Sequence, residues 1–90
     1  MMYTKEKIIE KLIAELDDEI EGIIEYGHIY DSFIELGLYD DAQTVEGIAQ
    51  DEYTHARALW GILMEHGVDL DHHIKIKENW KAVKSMYNLE

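Results

Sequence analysis

The amino-acid sequence predicts an all-α domain, an antiparallel hairpin of two long helices followed by a short C-terminal helix. Proline is absent from all 90 residues, so no pyrrolidine ring interrupts a helix. Apolar residues recur every three or four positions through two long segments, the spacing that places them on one helical face. We expect residues 1–90 to form one domain, with the hairpin over about 4–67 and the C-terminal segment over 68–90.

The first helix is predicted to begin near Thr4, whose hydroxyl suits the N-cap. Its apolar seam consists of residues at helical spacing: Ile9, Ile13, Leu16, Ile20, Ile23, Tyr30 and Ile34. Gly37 suits a left-handed C-terminal cap, and Asp40 or Asp41 suits the N-cap of the following helix. Gly27 falls on the seam, where its missing side chain permits the close approach of another helix.

The second helix is predicted over about residues 42–66, ended by Gly67, and a third, weaker helix near residues 73–87. A short turn makes the two long helices antiparallel neighbours. A strip of large side chains flanks the second helix: Tyr53, Trp60 and Met64. The strip predicts either a contact with another subunit or a third helix folded back over it, and the sequence leaves both interpretations open.

The composition limits the classes of function. The formal charge of −12 makes binding to nucleic acid or to anionic membranes unfavourable. The chain has no cysteine, which excludes disulfides and thiolate metal sites, and its start lacks a signal-peptide pattern, so we expect a cytoplasmic protein. So small a core favours support from a metal or a second subunit. The C-terminal lysines are predicted on a solvated face: Lys75, Lys77, Lys81 and Lys84.

Ionisable residues occupy two otherwise apolar stripes. The stripe on the second helix is Val45, Ile48, Glu52, His55, Leu59 and Ile62. The stripe on the first helix is Leu12, Glu19, Tyr26 and Phe33. A buried carboxylate costs several kcal/mol or more unless it is paired or bound to a metal. Antiparallel packing about the Gly37 turn brings Glu19 level with His55, so one hairpin supplies two carboxylates and one imidazole at one depth.

Two such hairpins related by a two-fold axis would surround that axis with four glutamates and two histidines. This is the ligand set of carboxylate-bridged di-iron bundles, in which two helices each give a Glu and two each give a Glu-x-x-His. Carboxylate and imidazole ligands suit iron, so the expected metal is a di-iron centre shared by two subunits. A buried ion pair is the alternative, although it would leave two negative charges unpaired on the axis.

The pattern resembles the ferritin-like superfamily, in particular rubrerythrin and the short encapsulated ferritins. The residues that carry the resemblance are Asp18-Glu19 with Tyr26, and Gln50-Asp51-Glu52-Tyr53-Thr54-His55-Ala56. It implies that Glu19 is a terminal ligand, Glu52 bridges two irons and His55 is a terminal nitrogen ligand. Tyr26 would be a phenol beside the metal site. The resemblance also implies that the hairpin dimerises into a ferritin-like four-helix bundle.

The function implied by the resemblance is that of a ferroxidase, which oxidises Fe(II) to Fe(III) with O2 or peroxide for iron storage or detoxification. A rubrerythrin-like peroxide reductase is the close alternative, and it would need an external electron donor because the chain has no cysteines for a rubredoxin centre. The non-enzymatic alternative is an acidic helical oligomerisation module. The expected partners are further copies, in a dimer of hairpins or a larger ring, and an encapsulin-type shell that would form a protein nanocompartment.

The remaining histidines carry weaker predictions. Glu25 and His28 have the same Glu-x-x-His spacing, but they point away from the first-helix stripe. His28 with Glu25 or Glu21 suits an accessory or entry site. His66 is predicted at a helix end, where the dipole favours it. His72 and His73 follow two aspartates and suit either a surface metal site or a solvated loop.

Overall fold

The computed structural model describes residues 2–87, which form three α-helices without a β-strand. The helices are α1 (Lys5–Glu35), α2 (Tyr39–Glu65) and α3 (Ile74–Met86), and a short 3-10 turn, Leu70–His72, precedes α3. The predicted hairpin with a short C-terminal helix is therefore confirmed. In the described part of the chain, no helix combines the length and apolar character that crossing a bilayer requires.

Glycine ends both long helices in the predicted way. Gly37 and Gly67 have φ values of 76° and 77°, in the left-handed region where a side chain is disfavoured. After α1, the amide of Leu38 donates to the carbonyl of Phe33 at 2.9 Å, which completes a Schellman cap. The amide of Val68 closes the same motif after α2. At the other end of α1, the predicted Thr4 cap accepts a hydrogen bond from the Lys7 amide at 3.2 Å.

The start of α2 differs from the prediction. The helix begins at Tyr39, and its N-cap is Leu38, which makes no side-chain capping hydrogen bond. Asp40 and Asp41, predicted as alternative N-caps, instead lie within the first turn. Carboxylates in a first turn are still favourable because they face the positive end of the helix dipole. Aspartates therefore lie at the start of α2, as predicted, but the predicted helix start near residue 42 was wrong, because the helix begins at Tyr39.

The core between α1 and α2 pairs large residues with small ones. The α1 side is formed by Leu16, Ile20 and Ile23, as the seam predicts. The α2 side repeats every seven residues: Ala42, Ala49, Ala56 and Leu63. Alanines at a helix contact permit a short interaxial distance. The predicted α2 stripe through Glu52 and His55 consequently lies beside this buried line, at the edge of the hairpin.

Helix α3 folds back over one side of the hairpin. Trp80 stacks on Tyr53 with ring centroids 5.5 Å apart and also contacts Trp60 at 5.4 Å. The strip of Tyr53, Trp60 and Met64 was predicted to contact either another subunit or a folded-back third helix. Helix α3 covers Tyr53 and Trp60, whereas Met64 stays 62% exposed. Gly27 also accommodates a close approach, because a Cβ there would collide with the Met86 methyl group of α3.

Candidate metal centre

Three of the four predicted site residues converge in the folded chain. Glu19 of α1 and Glu52 and His55 of α2 each offer one ligand atom, and these atoms lie within 4.8 Å of one another. The register follows from the hairpin, since Glu19 and His55 are equidistant along the chain from Gly37. Gly22 lies opposite Glu52, and a Cβ there would make an ordinary contact with Glu52 Oε2 at 3.4 Å.

The Glu19 carboxylate lacks a compensating partner. Its side chain is 21% exposed, and its Oε2 atom is buried with no hydrogen-bond donor among residues 2–87. His55 Nδ1 lies 3.8 Å from that oxygen, which is too long for a hydrogen bond. A hydrogen-bond acceptor that is buried without a donor loses its bonds to water and gains none in return, which costs free energy. The site therefore presents an oxygen that a bound cation would satisfy.

The protonation of Glu19 reflects the same environment. Burial of the carboxyl group, together with the proximity and the charge of Glu52, raises the pKa of Glu19 to about 7. The charge of Glu15 acts in the same direction, whereas His55 lowers this pKa. Near neutral pH, the Glu19 carboxyl group thus tends to retain a proton. A divalent cation would replace that proton and neutralise both groups.

His55 is the most accessible of the three groups, with 60% of its side chain exposed. Around it, the stripe residues Ile48 and Ile62 remain 38% and 40% exposed. Residues two apart in a helix point about 200° apart. His55 therefore lies on the side of α2 opposite Tyr53, which α3 covers. The candidate ligands occupy a half-exposed, largely apolar face on the open side of the hairpin, here called the ligand face.

Tyr26 lies outside the group of converging ligand atoms. It is half-buried, two helical turns beyond Glu19 and one turn beyond Gly22. Seven residues correspond to about 10 Å along a helix, so Tyr26 is displaced from Glu19 toward the Gly37 turn.

A second acidic group, which the sequence reasoning missed, consists of Asp17, Asp18 and Glu21. Lys75 Nζ lies 3.1 Å from Asp17 Oδ2 and 2.7 Å from Glu21 Oε1. Hydrogen bonds to Glu21 and Asp17 raise the pKa of Lys75 to about 12. Lys75 was predicted on a solvated face; it is exposed but also links α3 to α1. The i, i+4 spacing of Asp17 and Glu21 indicates that the two carboxylates share one face of α1, but their partner Lys75 is remote in sequence.

The other histidines fall outside both groups of metal-capable side chains in the described part of the chain. His66 is the C-cap residue of α2, as predicted for a helix end. His72 pairs with Asp69, with 3.1 Å between Nε2 and Oδ2, inside the loop before α3. His28 is exposed, and His73 is the half-buried N-cap residue of α3.

Comparison with protein-family models, with curated proteins and with solved structures finds no match to this chain. The resemblance to ferritin-like proteins therefore stays a prediction. What bears on function is the chemistry of the side chains that the fold brings together.

Proposed function

We propose that two copies of the chain pair through the ligand face and form a ferritin-like four-helix bundle that oxidises Fe(II) to Fe(III). The observation that carries the proposal is the convergence of Glu19, Glu52 and His55 around a buried carboxylate oxygen that has no donor in the described part of the chain. Two carboxylates and an imidazole are ligands that suit Fe(II). A cation at this position would also offset the repulsion that raises the Glu19 pKa.

Pairing accounts for the exposure of the ligand face. Glu52 and His55 sit among apolar side chains that one chain leaves partly in water, with Ile48 and Ile62 each more than a third exposed. Burying such a stripe against its own copy would stabilise the pair and dehydrate the ligands. Each hairpin supplies half of the ligand set, so iron binding and assembly should occur together.

Each residue has a distinct role in the proposed reaction. Glu52 lies at the centre of the ligand face and would contact both Fe(II) ions, while Glu19 and His55 would each complete the coordination of one. The proton held near Glu19 would leave when Fe(II) binds. Each Fe(II) gives one electron, and O2 takes two electrons and two protons to become hydrogen peroxide. With hydrogen peroxide as the oxidant, the same electrons and protons give two molecules of water.

The test begins with metal-free protein and anaerobic Fe(II). We expect about one iron per chain to bind and the mass measured by light scattering to rise from one chain to at least two. Admitting O2 should then produce oxygen uptake and ferric absorption. A parallel reaction with hydrogen peroxide, with and without an added electron donor, distinguishes a ferroxidase from a peroxide reductase.

The chain provides a matched control for mutagenesis. Glu52→Ala and His55→Ala should abolish iron oxidation, whereas Glu25→Ala and His28→Ala, with the same spacing on exposed positions, should not. Oxidation at the wild-type rate by either ligand variant would refute the assignment. Unchanged mass and no iron uptake by the unmodified protein would instead favour the oligomerisation module.

A further inference from the structure

Helix α3 covers only part of its side of the hairpin. Its 13 residues span about 20 Å, whereas the 31 residues of α1 span about 46 Å. The Tyr87 hydroxyl donates to the Ile23 carbonyl at 3.3 Å and fixes the end of α3 over the middle of α1. From there toward the Gly37 turn, no part of residues 2–87 covers the groove between α1 and α2.

The open groove has a consistent lining. It consists of three adjoining hollows of about 240, 400 and 310 Å³; the first two share Gln50 and Tyr87, and the last two share Tyr30 and Glu46. Along α1 it extends from Ile23 to Ile34, a length of about 16 Å. We call this continuous surface the distal groove.

The chemistry of the distal groove is aromatic and acidic. Tyrosine rings and apolar side chains form much of its lining, and carboxylates of Asp31, Asp40 and Glu46 stand along it. Within residues 2–87, no lysine, arginine or histidine lines any of the three hollows. Asp31 and Glu46 lie close enough to Tyr87 that their charges add to burial in raising its pKa. A ligand that matches this surface has apolar side chains and positive charge.

Helix α3 shows what kind of element this side of the hairpin accepts. It is amphipathic and lysine-rich, it places Trp80 against Tyr53, and Lys75 reaches two carboxylates of α1. The distal groove continues the same surface, again with tyrosines beside carboxylates. An amphipathic helix laid in a groove is a common mode of peptide recognition.

We propose that the distal groove binds a basic, amphipathic helical segment of a partner protein, collinear with α3. Apolar side chains of that segment would contact Tyr30, Met86 and Tyr87, and its lysines or arginines would pair with Asp31 and Glu46. The groove is on the opposite side of the hairpin from the ligand face, so this binding does not require iron or pairing of the hairpins.

The test uses a synthetic helical peptide of about 14 residues, about 21 Å long, with leucines and lysines at helical spacing. Binding is followed by calorimetry and by amide NMR shifts at about 150 mM salt, where unpaired surface charges beyond ~8 Å are screened. We expect saturable binding, with the largest shifts at the groove residues. A peptide of the same charge without leucines should bind much more weakly.

Charge-reversal variants separate the groove from the general acidity of the chain. The double variant Asp31→Lys/Glu46→Lys should weaken binding about tenfold or more. The matched double variant Glu6→Lys/Glu65→Lys changes the net charge equally, on exposed positions of the same two helices. It should leave the affinity within about twofold. Circular dichroism checks that both variants keep their helices, and Asp31→Asn/Glu46→Gln offers a milder form of the groove change.

Several results would overturn the proposal. These are no binding of the peptide, equal weakening by the two double variants, equal binding of the leucine-free peptide, or shifts concentrated on the ligand face. Groove shifts that depend on protein concentration without peptide would also overturn it, because they would identify a second copy of the chain as the occupant.

Discussion

Replacing Glu19 with glutamine keeps the shape of the side chain and removes its charge, so it isolates what the carboxylate does to the metal-free protein. The pKa of Glu19 rises from 4.5 to about 7 on folding, mainly through burial and the proximity of Glu52. A group whose pKa is raised in the folded state binds a proton more tightly there than in the unfolded chain. Its contribution to stability is fully present below pH 4.5 and is lost as the pH rises through 7.

The size of the effect follows from the shift. Each pKa unit corresponds to about 1.4 kcal/mol, so a full shift would lower the free energy of unfolding by about 3 kcal/mol between the two pH limits. Water reaches a fifth of the Glu19 side chain and screens the site, so we expect about 1 to 2 kcal/mol. Glu19→Gln should therefore be more stable than the wild type at pH 8 by that amount, and equally stable at pH 4.

A bound divalent metal should make the wild type more stable than Glu19→Gln at pH 8. Zn(II) at about a hundred times its dissociation constant would stabilise the wild type by about 2.7 kcal/mol, and the variant, lacking a ligand, much less. The assay is denaturant unfolding at fixed protein concentration, at pH 4, 6 and 8, with and without Zn(II). Glu25→Gln, an exposed carboxylate on the same helix, should stay within about 0.5 kcal/mol of the wild type throughout. If Glu19→Gln is destabilised at pH 8 without metal, or stabilised by Zn(II) as strongly as the wild type, the site is not the metal centre we infer.

Three further substitutions test the packing of the hairpin, of α3 and of the ligand face. Gly27→Val should lower the free energy of unfolding by about 1 to 3 kcal/mol in denaturant titrations, because the valine side chain would collide with Met86. An unchanged midpoint of denaturant unfolding would show that α3 does not contact α1 at this position. Gly22→Ala should raise thermal stability by about 1 kcal/mol through helix propensity, since its Cβ would lie 3.4 Å from Glu52 Oε2, an ordinary contact. Ile48→Asp should leave the helical content intact, since this side chain is already 38% exposed, yet prevent the metal-dependent increase in mass; normal assembly would place the pairing surface elsewhere.

The hairpin could be predicted because its signals are local and agree with one another. Gly37 and Gly67 occupy left-handed caps that a side chain would disfavour, and the α1 seam through Leu16, Ile20 and Ile23 has strict helical spacing. Once Gly37 fixes the turn, the antiparallel register of Glu19 and His55 follows from residue counting alone. The α2 start was misplaced because Asp40 and Asp41 are favourable both as N-caps and within a first turn.

The burial of the α2 stripe could not be read from periodicity. Two neighbouring lines of α2 have apolar character, one through Ala49 and Ala56 and the other through Ile48 and Leu59. The structure buries the alanine line against α1, because small residues allow the two helices to approach closely. The larger aliphatic side chains then remain at the edge, where Ile48 is 38% exposed. Sequence reasoning also could not choose the side taken by α3, which depends on the remote contacts of Trp80 and Lys75.

The geometry around Glu19 favours the proposed cation site over a structural ion pair. In an ion pair, His55 would carry a proton and hydrogen-bond to the carboxylate, and burial would strengthen the contact. Here Nδ1 stands 3.8 Å away and most of the imidazole is exposed. The buried Glu19 oxygen has no donor within residues 2–87, and the pKa of Glu19 is raised rather than lowered. Two carboxyl groups held close together at an energetic cost fit the proposal that a cation binds between them. Lys75 supplies the internal comparison, because at Asp17 and Glu21 the chain provides its own cation at 2.7 to 3.1 Å.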